Sequence, residues 1–482
     1  MVVGQSFESD RTANQSALNQ SPSQPNEGHA QAVRTALWAV GVTLLSNVAN
    51  ILKQLKDVAE SVVQLQQSVE DHPWLSGVLL SVLLIWGNVL LFQFLYHRLK
   101  RRIPTAYKVL VSAGCAVLVS GVFVSNVFSL KNLLQSPVQI QGELVSELET
   151  TQDTYGGAFR NAATPEGVPD AWTTAQALKA VLLTKTYDPT RAKQGFSYIE
   201  SERRNDGFEV YVGTETKPFI RTEIAAWVAL AYLESLSKSG FWAESERNTT
   251  IVRIEDTLRI IGSQQDRASG GWSPVPHTTA HARTYATMMS VWALTEALLS
   301  KDIPSRTEQG LGSSLEAGVA WLLTRYQDNL GWEEDPQHRL GKSFPGLTYQ
   351  VLFVLERAQL VSGHNSFKNA EAYRRIKREL RTIVHMADIG DLTSVPTSYI
   401  MVGEYPCWAD VLSYPWLLSV LPTLVVDPDV STEDRRYLRG LLRSETAKIP
   451  ELPSKLLRTE TWQVAENLIG VSTFISSRQL KE

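Results

Sequence analysis

A short turn, in which glycine is followed at once or one residue later by an aromatic, recurs at intervals of about 50 to 65 residues along the C-terminal part of the chain. Its copies are Gly156-Gly157-Ala158-Phe159, Asp206-Gly207-Phe208, Gly270-Gly271-Trp272 and Leu330-Gly331-Trp332. An amphipathic pattern of helical period precedes each turn. After it, beyond a polar loop, comes an apolar segment rich in Ala, Leu and Trp. These segments open as Ala171-Trp172-Thr173-Thr174-Ala175, Arg221-Thr222-Glu223-Ile224-Ala225-Ala226-Trp227, Arg283-Thr284-Tyr285-Ala286-Thr287 and Gly346-Leu347-Thr348-Tyr349-Gln350. Two degenerate units follow, with apolar helices expected near Ala409–Leu421 and Trp462–Ser476. Paired helices repeated six times predict a closed (α/α)6 toroid over residues 138–482. Inner helices are walled on every side and need apolar residues nearly all round, whereas outer helices need one apolar stripe. Glycine lets the chain turn tightly at the end of an outer helix, and the aromatic plugs the gap between units.

Two uncharged apolar runs lie upstream, Pro73–Tyr96 and Val109–Leu130. Each is long enough to cross about 30 Å of hydrocarbon, and neither has the polar face of a core helix. They read as a transmembrane hairpin over 73–130, with Trp74 and Tyr96 as interfacial aromatics. The connecting loop carries Arg98, Lys100, Arg101, Arg102 and Lys108, which puts it in the cytoplasm and the toroid on the extracytoplasmic side of a multi-pass protein. Before the hairpin, within 31–72, Leu44, Val48, Ile51, Leu55, Val58, Val62, Leu65 and Val69 form a heptad seam. That seam suits a self-associating coiled-coil-like stem, an amphipathic helix lying on a surface, or a marginal third span. Residues 1–30, rich in Gln, Ser and Asn, read as a disordered tail. The fold class expected is all-α: a coiled-coil-like helix, a two-helix transmembrane hairpin and an (α/α)6 toroid.

Gln265-Asp266-Arg267-Ala268-Ser269-Gly270-Gly271-Trp272 and Gln327-Asp328-Asn329-Leu330-Gly331-Trp332 resemble the Gln-to-Gly-x-Trp repeats of squalene cyclases and protein prenyltransferase β subunits. Gly318-Val319-Ala320-Trp321-Leu322 matches the helix that precedes such a repeat. The resemblance covers roughly residues 140–480 and implies the toroid fold more firmly than any activity. Triterpene cyclases protonate their substrate from an Asp-x-Asp-Asp run, which this sequence lacks. Asp427-Pro428-Asp429 is the nearest approach, but Pro428 breaks a helix and Asp429-Val430-Ser431-Thr432-Glu433-Asp434 reads as a helix start. Prenyltransferases hold zinc with Asp, Cys and His. Cys407 and Asp410 supply two of those types, but no matching His follows, so neither a metal nor any other cofactor is expected.

An Arg-Thr pair recurs at the start of inner helices, in Arg221-Thr222-Glu223, Arg283-Thr284-Tyr285 and Arg458-Thr459-Glu460. Helix starts converge on one rim of a toroid, so these guanidiniums would suit an anionic or isoprenoid ligand, with His277 and His281 nearby. The plainer alternative makes each Thr a helix cap and each Arg a local ion-pair partner. Trp172, Trp227, Trp292 and Trp462 read mostly as core. A net charge of −4 offers nothing for nucleic acid. The expected partners are a lipid bilayer, the cavity ligand and a second copy through residues 44–69.

Missing catalytic motifs lead to the expectation of a membrane-anchored toroid that binds a ligand or partner without family-type catalysis. One rival is a membrane-associated enzyme on an isoprenoid, lipid or glycan, with Glu223, Asp170 or Glu460 at the cavity mouth. Another is an effector whose hairpin the toroid controls. An enzyme should show an open cavity and a carboxylate with a raised pKa, and a structural toroid a cavity filled by side chains.

Overall fold

The computed structural model describes residues 135–153, 156–161, 169–210, 219–276, 281–334, 345–385, 398–402, 405–409, 412–456 and 459–479. The chain divides into two units, Met1–Val124 and Ser125–Glu482, and every described residue belongs to the second. The tail, the heptad seam and both apolar runs of the hairpin lie outside the described residues.

Twelve long helices alternate between an outer and an inner layer among the described residues. The outer helices are α1 (Pro137–Thr151), α3 (Pro189–Ser201), α5 (Glu244–Ser263), α7 (Ser305–Arg325), α9 (Glu371–His385) and α11 (Thr432–Thr446). The inner ones are α2 (Ala171–Leu182), α4 (Thr222–Ser237), α6 (Thr284–Leu299), α8 (Pro345–Ala358), α10 (Ser413–Leu424) and α12 (Thr461–Gln479). Each inner helix packs on the next, from α2 round to α12, and α12 returns to α2, so the ring is closed. Outer helices α3, α5, α7, α9 and α11 lie on α2, α4, α6, α8 and α10, while α1 covers α12. Burial follows the two environments. In α4 every residue from Thr222 to Leu233 is buried, whereas α5 buries only Thr250, Ile254, Thr257, Leu258 and Ile261 along one face. Two small antiparallel sheets sit in connections: β1 (Arg203–Arg204), β2 (Gly207–Val210) and β3 (Phe219–Ile220), and a hairpin of β4 (Ser398–Val402) with β5 (Tyr405–Ala409). Ala409 therefore ends a strand instead of starting the fifth inner helix.

Among the described residues no helix is long and apolar enough to cross a membrane. The expected multi-pass location is corrected to this extent: no described helix is a membrane span, and the apolar helices among the described residues are ring helices, mostly of 12 to 16 residues. At about 1.5 Å per residue they span less than the hydrocarbon of a bilayer.

Two of the recurring turns are tied down in the same way by a glutamine. Gln152 Nε2 donates to the carbonyls of Gly157 at 2.8 Å and Arg191 at 3.0 Å, tying its turn to α3. Gln265 Nε2 donates likewise to Gly270 at 2.7 Å and Ser314 at 2.9 Å, tying its turn to α7. Gly270 has φ +84°, and a Cβ there would sit 2.8 Å from the carbonyl oxygen of Ala317, so both conformation and space demand glycine. The aromatics Phe159, Phe208, Trp272 and Trp332 are fully buried. The backbone N–H groups of Phe159, Trp272 and Trp332 donate to Thr174, Thr287 and Thr348 in the inner helix that follows, at 3.0, 2.9 and 3.1 Å.

A second threonine stitches neighbouring units together. Thr222 donates its N–H to Pro274 and its hydroxyl to Ser273; Thr284 does the same to Glu334 and Glu333. Thr461, first residue of the last inner helix, donates to Asn161 and Arg160 in the first unit, so the chain's end closes on its beginning by the same bonds. These threonines are therefore stitches, not caps, and α4 and α6 have no side-chain cap at all.

Candidate active site

The middle of the ring is occupied by aromatic rings. Trp292 of α6 meets Trp227 of α4, Phe353 of α8 and Trp416 of α10 edge to face, at centroid distances of 5.4, 5.5 and 5.5 Å. Because α4 and α10 stand opposite in ring order, rings that both touch Trp292 span the centre. Polar chemistry is left to the two ends.

At the end formed by the inner-helix N-termini, Arg221 and Glu223 start α4, Arg283 precedes α6, and Glu333 and Glu334 follow Trp332; all five are buried. Arg221 is ion-paired with Glu223, and its guanidinium lies over the ring of Trp172 at 4.5 Å. The Tyr285 N–H at the start of α6 donates to Oε2 of Glu334 at 2.8 Å. Burial drives the Glu334 carboxyl up to about 8, against that hydrogen bond and the nearby Arg283, while the charge of Glu223 adds to the rise. Burial also raises Glu223, opposed chiefly by Arg221. Asp170 caps α2 by accepting from Thr173 N–H at 2.7 Å and Thr173 Oγ1 at 2.8 Å, yet burial still lifts it to about 6.

The residues singled out from sequence divide sharply. Arg221, Glu223 and Arg283 reach this mouth together with Asp170 and Trp172. His281 is exposed and lies near Asp266. Glu460 is exposed and accepts from the Trp462 indole N–H. His277 and Arg458 fall outside the described residues, as do Asp410 and the side chain of Cys407. At the last unit the stitching threonine is Thr461, while Thr459 bonds locally to the Leu456 carbonyl. The helix start read at Asp429–Asp434 is present, with Ser431 capping α11, and Asp427 before it is buried against Lys377, which also holds Glu356. Sequence reasoning missed Glu333 and Glu334, and also Glu466. Glu466 is fully buried, accepting from Trp416 Nε1 and Leu412 N at 3.2 Å and from Gln176 Nε2 at 3.4 Å. A lone acid inside the apolar stretch Trp462–Phe474 was the available signal. No group of three or more His, Cys, Asp and Glu suited to a metal ion occurs among the described residues.

No family model and no curated protein matches the chain. Solved structures do match its fold. One is the α-1,6-mannanase GH76A from Salegentibacter sp. HEL1_6, at 12% identity and TM-score 0.48, covering 71% of this chain and all of that one. Another is an unsaturated glucuronyl hydrolase specific for heparin, at 10% identity and TM-score 0.47, covering 71% of this chain and 98% of that one. A D-mannose isomerase matches at 15% identity and TM-score 0.44, covering 64% of this chain and 83% of that one. The α/α toroid itself is shown by the closed ring of paired helices. Of the two marks set out for an enzyme, the mouth carries a buried carboxylate with a raised pKa, while the middle of the ring is filled by side chains. The expectation of a membrane-anchored toroid that binds without catalysis is corrected on that carboxylate, a group suited to proton transfer and not to binding alone.

Proposed function

We propose that this chain is an enzyme performing acid–base chemistry on a carbohydrate at the mouth formed by the inner-helix N-termini. The observation that carries the reading is Glu334, buried and held up to about 8, so that it keeps its proton at neutral pH. Since Tyr285 N–H occupies Oε2, the proton belongs on Oε1, the oxygen left to deliver it. Asp170, at about 6, is mostly ionised at the same pH. Two carboxylates with separated pKa values are what is needed to protonate one oxygen and take a proton elsewhere. The guanidiniums, carboxylates and indole of the mouth mix donors and acceptors, which suits a polyhydroxylated substrate better than a hydrocarbon.

Kinship with squalene cyclases rests on the Gln-to-Gly-x-Trp turns, but the Asp-x-Asp-Asp run of that chemistry is absent from the sequence. The glycan reading is therefore preferred to isoprenoid chemistry.

The test is a panel of mono- and oligosaccharides incubated with the full chain between pH 5 and 9, followed by NMR of anomeric and ring protons. Turnover should fall below about pH 6, where Asp170 gains a proton, and above about pH 8, where Glu334 loses one. Glu334→Gln should lower kcat by roughly 100-fold or more without lowering Tm. A wild-type chain that leaves every sugar unchanged, or a Glu334→Gln variant with full turnover, would sink the proposal.

A further inference from the structure

We infer that Trp172 and Glu223 form a hydroxyl-binding subsite of the mouth, one that selects a neutral sugar over a charged one. The inference rests on the reading of the mouth as a sugar-processing site. Trp172 is the second residue of α2 and Glu223 the second residue of α4, so they stand at one level on adjacent inner helices. Both flank the same guanidinium: Arg221 lies over the indole ring at 4.5 Å and is ion-paired with the carboxylate.

Each presents a buried polar atom with nothing to bond. Trp172 Nε1 is a donor without a hydrogen-bond acceptor among the described residues. The fully buried Glu223 uses Oε1 for its ion pair, and apart from its own backbone N–H its Oε2 finds no hydrogen-bond donor among the described residues. Buried donors and acceptors in native proteins are satisfied in nearly every case, by protein, water or ligand. A donor and an acceptor on either side of one cation call for groups that both accept and donate.

Hydroxyls do this, and the charges narrow the class further. A carboxylate or phosphate approaching Oε2 would be repelled by Glu223, while an ammonium would meet Arg221 first. A neutral sugar carrying hydroxyls on neighbouring carbons meets neither penalty: one oxygen accepts from the indole N–H and the next hydroxyl donates to Glu223.

The probes are methyl α-mannopyranoside, methyl α-glucopyranoside and their monodeoxy analogues, titrated against the full chain by saturation-transfer NMR. Trp172→Phe keeps a ring beneath Arg221 and removes only the N–H. The inference expects one parent glycoside to bind wild type about 10-fold more tightly than one of its monodeoxy analogues. That difference should disappear in Trp172→Phe. Because the analogue series needs no substitution in the wild-type chain, a poorly folded variant cannot hide the answer. If all analogues bind wild type alike, or Trp172→Phe binds every probe as wild type does, the subsite is refuted, while a turnover loss in Glu334→Gln would leave the acid–base reading standing. Absence of any glycoside binding to wild type, together with absence of turnover, would overturn both.

Discussion

The two ends of the inner ring use the same residue types and, at the C-termini of α4 and α6, treat them oppositely. At the N-terminal mouth, burial outweighs every favourable partner, and Glu334 and Asp170 rise to about 8 and about 6. At the C-terminal end Glu234 and Glu296 fall, although Glu356, buried against Lys377, rises as the mouth acids do. Burial pushes Glu234 up, but Lys179 and Lys238, each at 2.8 Å, overcome it and hold the carboxyl at about 2. Glu296 is half-buried, and its burial also pushes the carboxyl up, yet the paired bonds from Arg357 at 2.8 and 2.7 Å lower it. Helix dipoles would favour the reverse order, since carboxylates gain at N-termini and lose at C-termini by about 0.3–1 kcal/mol. The rise of Glu334 from 4.5 to about 8 corresponds to about 5 kcal/mol, so local solvation and pairing decide, not the dipole. One end is thus locked by cations reaching across neighbouring helices. The other keeps destabilised acids, as sites of proton transfer do.

The contrast predicts opposite limbs in a plot of stability against pH. A carboxyl raised in the folded state helps most below its unfolded value, and that help is lost as pH climbs through the folded value. For Glu334 the loss runs from pH 4.5 to about 8 and amounts to about 5 kcal/mol. In denaturant unfolding, Glu334→Gln should remove this alkaline limb and leave the acid limb unchanged. A lowered carboxyl does the reverse: Glu234 contributes above pH 4.5, and its share, about 3 kcal/mol, disappears as pH falls to about 2. Glu234→Gln should flatten that acid limb alone. If the two variants changed the same limb, the ends would not differ as described.

Removing one cation from each end sharpens the distinction. Arg221→Met should cost about 3–5 kcal/mol in urea unfolding, because Glu223 is left buried without its ion pair. Lys179→Met should cost less, about 1–2 kcal/mol, since Lys238 still holds Glu234. Equal losses would mean that the mouth is no less well paired than the opposite end.

What the sequence disclosed follows range. The Gly-aromatic turns and inner-helix composition depend on neighbours within one unit, so the six-fold ring was legible, and with it the place of Arg221 and Glu223 at helix starts. Glu334 was not. Its carboxyl meets the N–H of a residue 49 positions upstream, and nothing in the run Gly331-Trp332-Glu333-Glu334 announces that meeting. At the third Arg-Thr pair the stitching position was hidden for a similar reason. The stitch depends on where a distant turn presents its carbonyls, and Thr461 meets them instead. The pairing of Asp427 was hidden in the same way, since its partner Lys377 lies on α9, 50 positions away.

The smallest expected effect concerns the stitches that hold the mouth together. Thr222, Thr284 and Thr461 each donate a hydroxyl to a carbonyl of the next unit, at 2.7, 2.5 and 2.5 Å. Substituting valine keeps the shape and removes one hydrogen bond, leaving a carbonyl short of a partner at about 1–2 kcal/mol each. The first two stitches join units close in sequence, and a broken bond there leaves the ring tied through its covalent chain. Thr461 bridges 301 positions, and apart from its N–H bond to Asn161 the closure depends on α12 packing against α2. Hydrogen exchange of the three variants should therefore differ in pattern more than in total stability. Thr461→Val should raise exchange across α12 and α1, the helix that covers it, whereas Thr222→Val and Thr284→Val should act only beside their own turns. Identical local patterns in all three would mean that the ring has no seam.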